Sequence, residues 1–230
     1  MRWRLAAFAA AALCMLQAAA QPAATSSDGR WRLEAGEPAS LFLFDASGAR
    51  VRTWPAAALD GSRASAVTGV RDIPARRSFL ASFATLPELW EISYDPAAEP
   101  IFDGLVHDYR MGEAIARSGY LGVRRTPLEA PLAVLAIAAH GRHVLGTTVH
   151  PEGGVTLDLV HLDVRRRIAR RMLPLAPSPA AIRLFEQDGR EFLSLVQPGG
   201  AVLVLDARTL EVSCGPDARC ASPATPPPAR

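Results

Sequence analysis

The chain has 230 residues, a formal net charge of +2 and a hydrophobic fraction of 49%. This is the balance of an ordinary globular protein, and it argues against a nucleic-acid or strongly acidic partner. The length suits one domain, with room for two sub-parts.

The first twenty residues predict a secretory signal peptide. A basic start at Met1–Arg4 precedes an apolar run from Leu5 to Leu16, and Ala18–Ala20 offers a cleavage site before Gln21. The apolar run is short for a membrane span of about 20 residues. We therefore expect a mature protein that starts near Gln21, has no membrane segment after cleavage and is located in the periplasm.

Short apolar strands that end at an aspartate recur along the chain. The aspartates are Asp45, Asp95, Asp163 and Asp206, at intervals of 50, 68 and 43 residues. Asp-Gly and Gly-Gly pairs between alternating strands favour hairpins. A period of about 40 to 50 residues with several short strands per unit is typical of β-propeller blades such as WD40 repeats.

The predicted fold class is therefore all-β, a β-propeller or partial propeller of about four blades with a long loop insertion. The ring could close with four blades, remain an open arc, or be completed by a homodimer. The predicted boundaries are a signal peptide at 1–20, a propeller-like domain at 21–213 with an insertion at 96–126, and a tail at 214–230. In an oxidising compartment Cys214 and Cys220 favour a disulfide that closes a turn before the Pro-rich end.

The stretch from Leu86 to Thr126 interrupts the repeat. It begins as a strand at Leu89–Tyr94 and continues for about thirty residues rich in Asp, Glu, Arg and Tyr, with a helical pattern only at Gly112–Ala116. Long connections in compact domains are usually functional or disordered. The aromatic and aliphatic content here favours a functional segment.

The sequence LWEISYDPAAEPIFDGLVHDYRMGE, followed by GVRRTPL, resembles the cytochrome d1 (heme d1) domain propellers. The resemblance runs from about Ser40 to Arg170 and is most specific over Leu89–Leu128. It implies an eight-bladed periplasmic propeller of the denitrification type that handles heme d1 or a related tetrapyrrole.

The chain departs from this family pattern in three respects. It contains about four blades, it has no C-x-x-C-H motif for covalent heme c, and Ala176–Ala180 lacks a histidine where a heme-facing loop is expected. We therefore interpret it as a shortened or diverged member without heme c. No catalytic residue is assigned, and whether it is an enzyme stays open.

The resemblance assigns a candidate site to the polar cluster of the insertion. His107 would be the metal ligand of the heme iron, oriented by a carboxylate, and arginines would pair with tetrapyrrole carboxylates. The candidate cofactor-binding residues are His107, Asp108, Tyr109, Arg110, Arg124 and Arg125. The alternative is that Asp–Arg pairs and packed His and Tyr rings simply fasten a long loop.

Three functions remain open from the sequence. The first is a periplasmic propeller that binds heme d1 or a related tetrapyrrole, or assists its metabolism, without redox catalysis. The second is an interaction module for a periplasmic protein partner, and the third is a relative without a ligand. The basic run from Arg165 to Arg171 lacks the interleaved aromatic residues of a nucleic-acid patch and predicts a solvated outer strand.

Three histidines, His140, His143 and His150, have an H-x2-H-x6-H spacing. An extended strand of about 3.3 Å per residue would hold His143 and His150 about 20 Å apart. No cysteine or acidic residue stands beside them in the sequence. We therefore expect no zinc site here, and a structural role for His161.

Overall fold

The computed structural model describes residues 21–102, 116–150, 154–173, 182–196, 200 and 202–214. These residues form sixteen β-strands and one short 3₁₀ helix, Pro74–Arg76. The strands form four sheets, each of four consecutive antiparallel strands. The predicted all-β fold of about four blades is therefore confirmed.

The four sheets follow one another along the chain without exchanging strands. Sheet 1 contains β1 (Ala23–Thr25), β2 (Trp31–Gly36), β3 (Ser40–Asp45) and β4 (Arg50–Pro55). Sheet 2 contains β5 (Val67–Ile73), β6 (Ser78–Phe83), β7 (Glu88–Ser93) and β8 (Val123–Pro127). Sheet 3 contains β9 (Ala133–Ile137), β10 (His143–Val149), β11 (Val155–His161) and β12 (Arg166–Leu173). Sheet 4 contains β13 (Ile182–Gln187), β14 (Arg190–Val196), β15 (Val202–Asp206) and β16 (Val212–Cys214).

The recurrent aspartates occupy the same place in every sheet, at the turn from the third strand to the fourth. Asp45 and Asp206 end β3 and β15, and Asp95 and Asp163 follow β7 and β11 by two residues. In the turns of Asp45, Asp95 and Asp206, the carboxylate accepts the backbone amide two residues further on, at 2.9, 3.1 and 2.8 Å. The regular spacing of these three aspartates therefore reflects the same type of turn in three of the four sheets.

The Asp-Gly signal between β13 and β14 forms a two-residue hairpin. Asp188 and Gly189 have φ angles of 52° and 71°, and Gln187 pairs directly with Arg190. Positive φ at both central residues defines a type I′ turn, whose twist matches that of the flanking strands.

Several predictions concern residues outside the described ranges. They include the signal peptide at 1–20, nearly all of the helical pattern at Gly112–Ala116, most of the Pro198–Gly200 turn, and Cys220. Cys214 ends β16, but Cys220 lies outside the described ranges, so the disulfide between them stays a prediction. Strand β8 begins at Val123 and pairs with β7, so the connection between these strands runs from 94 to 122.

Three apolar clusters in the described residues join consecutive sheets. Between sheets 1 and 2 lie Leu33, Leu41, Leu43, Phe79, Phe83, Trp90 and Ile92. Between sheets 2 and 3 lie Ile73, Leu80, Leu89, Leu132, Val144, Val160 and Leu162. Between sheets 3 and 4 lie Leu145, Leu157, Leu159, Leu193, Leu195, Leu203 and Leu205.

Strand alternation explains how one strand serves two of these clusters. Phe79 of β6 joins the cluster with sheet 1, and its neighbour Leu80 joins the cluster with sheet 3. Val144 and Leu145 of β10 divide in the same way. Successive side chains point to opposite faces of a strand, so inner strands are buried on both sides and read as continuous apolar runs.

The basic run forms the outermost strand of sheet 3, as expected. Exposure alternates along β12, and two of its arginines, Arg167 and Arg170, are paired with acids. Arg170 Nε donates to Asp158 Oδ1 at 2.6 Å, and Arg167 Nη1 donates to Glu129 Oε2 at 2.6 Å.

Acid should weaken the fold through its turn carboxylates. Partial burial tends to raise the pKa of Asp206, but the Arg208 amide and the Arg190 guanidinium outweigh it and hold the pKa below the ordinary value of an aspartate. A lowered folded-state pKa stabilises the protein above the unfolded value of about 3.9, and this stabilisation is lost as pH falls through the folded value. When the pH is lowered from 6, the free energy of unfolding measured in urea should therefore fall less in Asp206→Asn than in wild type. Glu211→Gln is the nearby control, and an unchanged pH dependence in Asp206→Asn would contradict the role of this turn.

Candidate functional site: the base of the β7–β8 connection

The long connection between β7 and β8 is tied at its base. Ile101 and Arg117 exchange backbone hydrogen bonds of 2.9 and 2.8 Å. The Leu121 amide donates to the Ser93 carbonyl at 2.8 Å, which returns the chain to the end of β7. Residues 103–115 lie between the two halves of this tie and outside the described ranges, so four predicted site residues fall there: His107, Asp108, Tyr109 and Arg110.

Two glycines allow the returning chain to pack closely. A Cβ atom at Gly119 would collide with the carbonyl oxygens of Glu99 and Ala98, and one at Gly122 would collide with the Ser118 carbonyl. A side chain at position 119 would therefore push the two arms of the connection apart, and one at position 122 would disrupt the turn that follows Ser118. The Gly-Tyr-Leu-Gly run at 119–122 was a sequence signal for this close approach that our interpretation did not use.

A cavity of about 370 Å³ opens at this base, between sheet 2 and the β11–β12 turn. We call it the loop-base cavity. Its lining residues are Arg76, Glu99, Pro100, Ile101, Phe102, Arg124, Leu162, Asp163 and Arg165. Three of them are arginines, and Phe102 is an exposed aromatic ring with 57% of its surface accessible. The cavity thus combines cationic groups with an accessible apolar face.

Arg124, one of the predicted site residues, lies in this cavity. It is half-buried on β8, and its Nη2 donates a long hydrogen bond of 3.4 Å to the Glu99 carbonyl. A weak neutral acceptor leaves most of the guanidinium charge available. A fork of N–H donors of this kind is well suited to a carboxylate.

Arg125 lies on the opposite face of β8 and is fully engaged within the protein. Its guanidinium stacks 4.2 Å above the Trp90 ring. Its Nη1 donates to Glu88 Oε2 at 3.0 Å and to the Ala57 carbonyl at 2.9 Å. These contacts connect sheet 2 to the segment after sheet 1, so Arg125 and Arg124 do not converge on one cavity.

Arg76 forms the wall of the cavity through a buried ion network. Its Nε and Nη2 donate to the two oxygens of Glu91 at 2.7 and 3.1 Å, and its Nη1 donates to Asp163 at 2.5 Å. Ser78 Oγ donates to Glu91 at 2.9 Å. Sequence reasoning missed this arginine, because Asp163 is 87 residues away.

The network changes the acidity of its members. Burial alone would lower the pKa of Arg76, but Glu91 and Asp163 outweigh it and raise the pKa. Burial tends to raise the pKa of Asp163, while Arg76 and the nearby His161 and Arg142 lower it overall. Arg76 and Asp163 therefore both stay charged at neutral pH.

A second polar cluster lies between sheets 3 and 4. His140 Nε2 is 3.5 Å from Glu191 Oε2, and the His143 ring packs edge-on against His140 and His161, with centroids 4.7 and 5.0 Å away. The expectation that no acidic residue accompanies these histidines is wrong, because Glu191 of β14 reaches them from the next sheet. Burial and the neighbouring positive groups lower the pKa of His143 to about 4.

His150 takes no part in this cluster. It follows β10 at the end opposite His143, and its Nε2 lies 3.0 Å from Thr156 Oγ1. The predicted separation of His143 and His150 along one strand is therefore observed. His161 Nδ1 accepts the Asp163 amide at 3.2 Å, which is a structural contact.

Comparisons with known proteins agree with this architecture. No family model matches the chain. A curated relative, dihydro-heme d1 dehydrogenase of Pseudomonas aeruginosa, is 28% identical over 169 residues, which is 73% of this chain and 29% of the relative. The chain therefore spans less than a third of the length of that relative.

Two solved structures share the fold. A solved structure of dihydro-heme d1 dehydrogenase NirN in complex with DHE has a TM-score of 0.62 and 25% identity, over 83% of this chain and 36% of that chain. AztD of Citrobacter koseri has a TM-score of 0.51 and 11% identity, over 84% of this chain and 45% of that chain, which shows the fold alone.

The four four-stranded sheets place the chain in the class of β-propeller proteins. Its similarity in both sequence and structure to dihydro-heme d1 dehydrogenase confirms the predicted family. The chain is similar to the cytochrome d1-like propellers. Within the described residues, no helix is long and apolar enough to span a membrane.

Breaking the buried network should destabilise the fold strongly. Glu91→Gln removes the charge that faces Arg76, and the Glu91 side chain is only 6% exposed. Loss of one partner from a buried pair costs about 3 to 5 kcal/mol, which we expect in the free energy of unfolding measured in urea.

Glu34→Gln provides the matched control. Glu34 pairs with Arg32 at the same distance of 2.7 Å, but the side chains are 28% and 49% exposed. Such a surface pair contributes less than about 1 kcal/mol. Equal losses in the two variants would contradict a special role for the Arg76 network.

Proposed function

We propose that this protein is a periplasmic propeller that binds heme d1 or a related tetrapyrrole at the loop-base cavity, or assists its metabolism, without redox catalysis of its own. The observation that carries the proposal is the position of Arg124, Arg165 and Phe102 around one cavity at the base of the β7–β8 connection. Export by the residue 1–20 signal peptide would bring the protein to the compartment of denitrification chemistry.

The chemistry of the cavity suits a tetrapyrrole. Such a ligand has a flat apolar ring and peripheral carboxylates, so it needs an accessible aromatic face beside cations. Phe102 supplies the face, and Arg124 and the exposed Arg165 supply guanidinium donors. The arginines recognise carboxylates through paired N–H groups, whereas Arg76 is already neutralised by Glu91 and Asp163.

The predicted iron ligand lies in the same segment of chain. His107 is five residues after Phe102, and with Asp108, Tyr109 and Arg110 it belongs to the stretch that the Ile101–Arg117 tie encloses. The solved structure of NirN in complex with DHE supports the ligand class, since that relative is similar to this chain. Arg125, in this proposal, supports the site by holding β8 in place.

We also propose that a second copy of the chain completes the ring. The three apolar clusters join four consecutive sheets in a row. The outer side of sheet 1 carries Phe42 and Phe44 beneath the guanidinium groups of Arg50 and Arg32, at 5.1 and 5.0 Å. A homodimer would cover such aromatic groups, and a periplasmic protein partner is the alternative occupant.

Heme titration tests the ligand proposal. Hemin added to the mature protein should shift the Soret band with saturable binding, and Arg124→Ala should weaken binding by about 10- to 150-fold, because the loss of one charge-assisted pair is worth about 1.5 to 3 kcal/mol. His107→Ala should change the position of the Soret band. Arg52→Ala, an exposed arginine on β4 outside the cavity, is the control.

Wild type and the two variants test different parts of the proposal: ligand binding, the iron ligand and the location of the site. No Soret shift in wild type at micromolar hemin would overturn tetrapyrrole binding. An unchanged spectrum in His107→Ala would remove this histidine as the iron ligand, and equal affinity in Arg124→Ala and Arg52→Ala would remove the loop-base cavity as the site.

The mass of the protein in solution tests the proposal that two copies of the chain complete the ring. Light scattering on the mature protein should give twice the mass of one mature chain, which is the 24.5 kDa of the full sequence less its first twenty residues. Phe42→Arg should convert the dimer into a monomer, since it places a charge among the guanidinium groups at the proposed interface. A wild-type monomer at the highest soluble concentration would contradict self-assembly, and a stoichiometric periplasmic protein recovered with it would favour the alternative.

A further inference from the structure

The histidine cluster between sheets 3 and 4 contains buried polar atoms that make no hydrogen bond. His143 is 8% exposed, and its Nδ1 atom is buried without a hydrogen bond. Glu191 Oε2 is buried without a hydrogen bond as well. Buried polar groups are nearly always paired, and each exception requires an explanation.

The same cluster has the arrangement of a cation site. One ligand atom each from His140, His143 and Glu191 lies within 4.8 Å of the others. His140 Nε2 and Glu191 Oε2 are 3.5 Å apart, and two ligands of a tetrahedral zinc ion are about 3.4 Å apart when the bonds are near 2.1 Å. One edge of a tetrahedron is therefore already in place.

We infer that His140, His143 and Glu191 form a binding site for a divalent transition-metal cation, with Zn²⁺ as the best match. Two imidazoles and one carboxylate are a ligand set that zinc accepts, with the fourth position open to water or a further ligand. A cation would neutralise the Glu191 carboxylate and would accept the lone pair of His143 that makes no hydrogen bond. The site does not depend on the proposed tetrapyrrole function.

Access and conformational freedom differ among the three ligands. His143 and Glu191 are held within the sheets, whereas the His140 side chain is 41% exposed on the β9–β10 turn. The His140 ring can therefore close the remaining distance. An open depression of about 560 Å³, lined by His140, His143 and His161, connects the cluster to solvent.

Two local features oppose binding and limit its strength. The Arg142 amide donates to His140 Nδ1 at 3.0 Å, so coordination through Nε2 moves the ring proton to Nδ1 and breaks this contact. Arg142 and Arg208 also line the depression. Asp163 partly neutralises Arg142, with 3.5 Å between Nε and Oδ2, whereas Arg208 remains an unfavourable charge.

A bound cation would fasten two sheets together. His140 and His143 belong to sheet 3, and Glu191 belongs to β14 of sheet 4. Binding to the folded state alone raises stability in proportion to the logarithm of ligand concentration. Zinc should therefore raise the melting temperature of the protein.

The test uses the mature protein, free of any affinity tag and treated with a chelator. Zn²⁺ is titrated by calorimetry, and Co²⁺ serves as a spectroscopic probe of tetrahedral coordination. We expect one equivalent of Zn²⁺, a rise in melting temperature and visible Co²⁺ absorption. His140→Ala and Glu191→Gln should each weaken Zn²⁺ binding by at least about tenfold, because even partners of a metal ligand are worth 10 to 100-fold in affinity.

Matched controls separate this site from general cation binding. His150→Ala removes a histidine at the other end of β10, and Glu129→Gln removes an exposed carboxylate, so both should bind Zn²⁺ as wild type does. Absence of stoichiometric Zn²⁺ binding in wild type would overturn the inference. So would wild-type affinity in His140→Ala, whose exposed position makes loss of folding an unsuitable explanation for any effect.

Discussion

The ion network of Arg76 is the interaction on which the arrangement of sheets 2 and 3 depends. One guanidinium binds Glu91 within sheet 2 and Asp163 at the β11–β12 turn of sheet 3. The Arg76 and Glu91 side chains are 15% and 6% exposed, and burying such charges is costly unless they are paired and hydrogen-bonded. The pairing therefore selects one relative position of the two sheets, while the apolar cluster beneath it supplies the driving force.

This constraint also shapes the candidate site. Arg76 and Asp163 form part of the wall of the loop-base cavity, and the tie between Ile101 and Arg117 closes another part. Because Arg76 is neutralised by its own partners, the cationic character of the cavity comes from Arg124 and Arg165. In the proposed function, structural support and ligand recognition would therefore use different arginines of the same cavity.

Both candidate sites lie where sheets meet. The loop-base cavity is at the boundary of sheets 2 and 3, and the His140–Glu191 cluster is at the boundary of sheets 3 and 4. Blade boundaries bring together residues from turns that are distant in the chain. They are also the places where polar side chains are partly removed from water, which strengthens their interaction with charged ligands.

The sequence by itself determined the local structure: the four units, the Asp turns and the strands at Ser40–Asp45 and Ser78–Phe83, which match the structure residue for residue. Such features depend on alternation and turn chemistry within a few residues. The family followed from one long segment, Leu89–Leu128. Tertiary structure alone decided that Arg124 lines the loop-base cavity while Arg125 contacts Trp90 and Glu88. It also decided that Glu191 lies beside His140. These outcomes depend on how whole sheets pack, and no short stretch of sequence contains both partners.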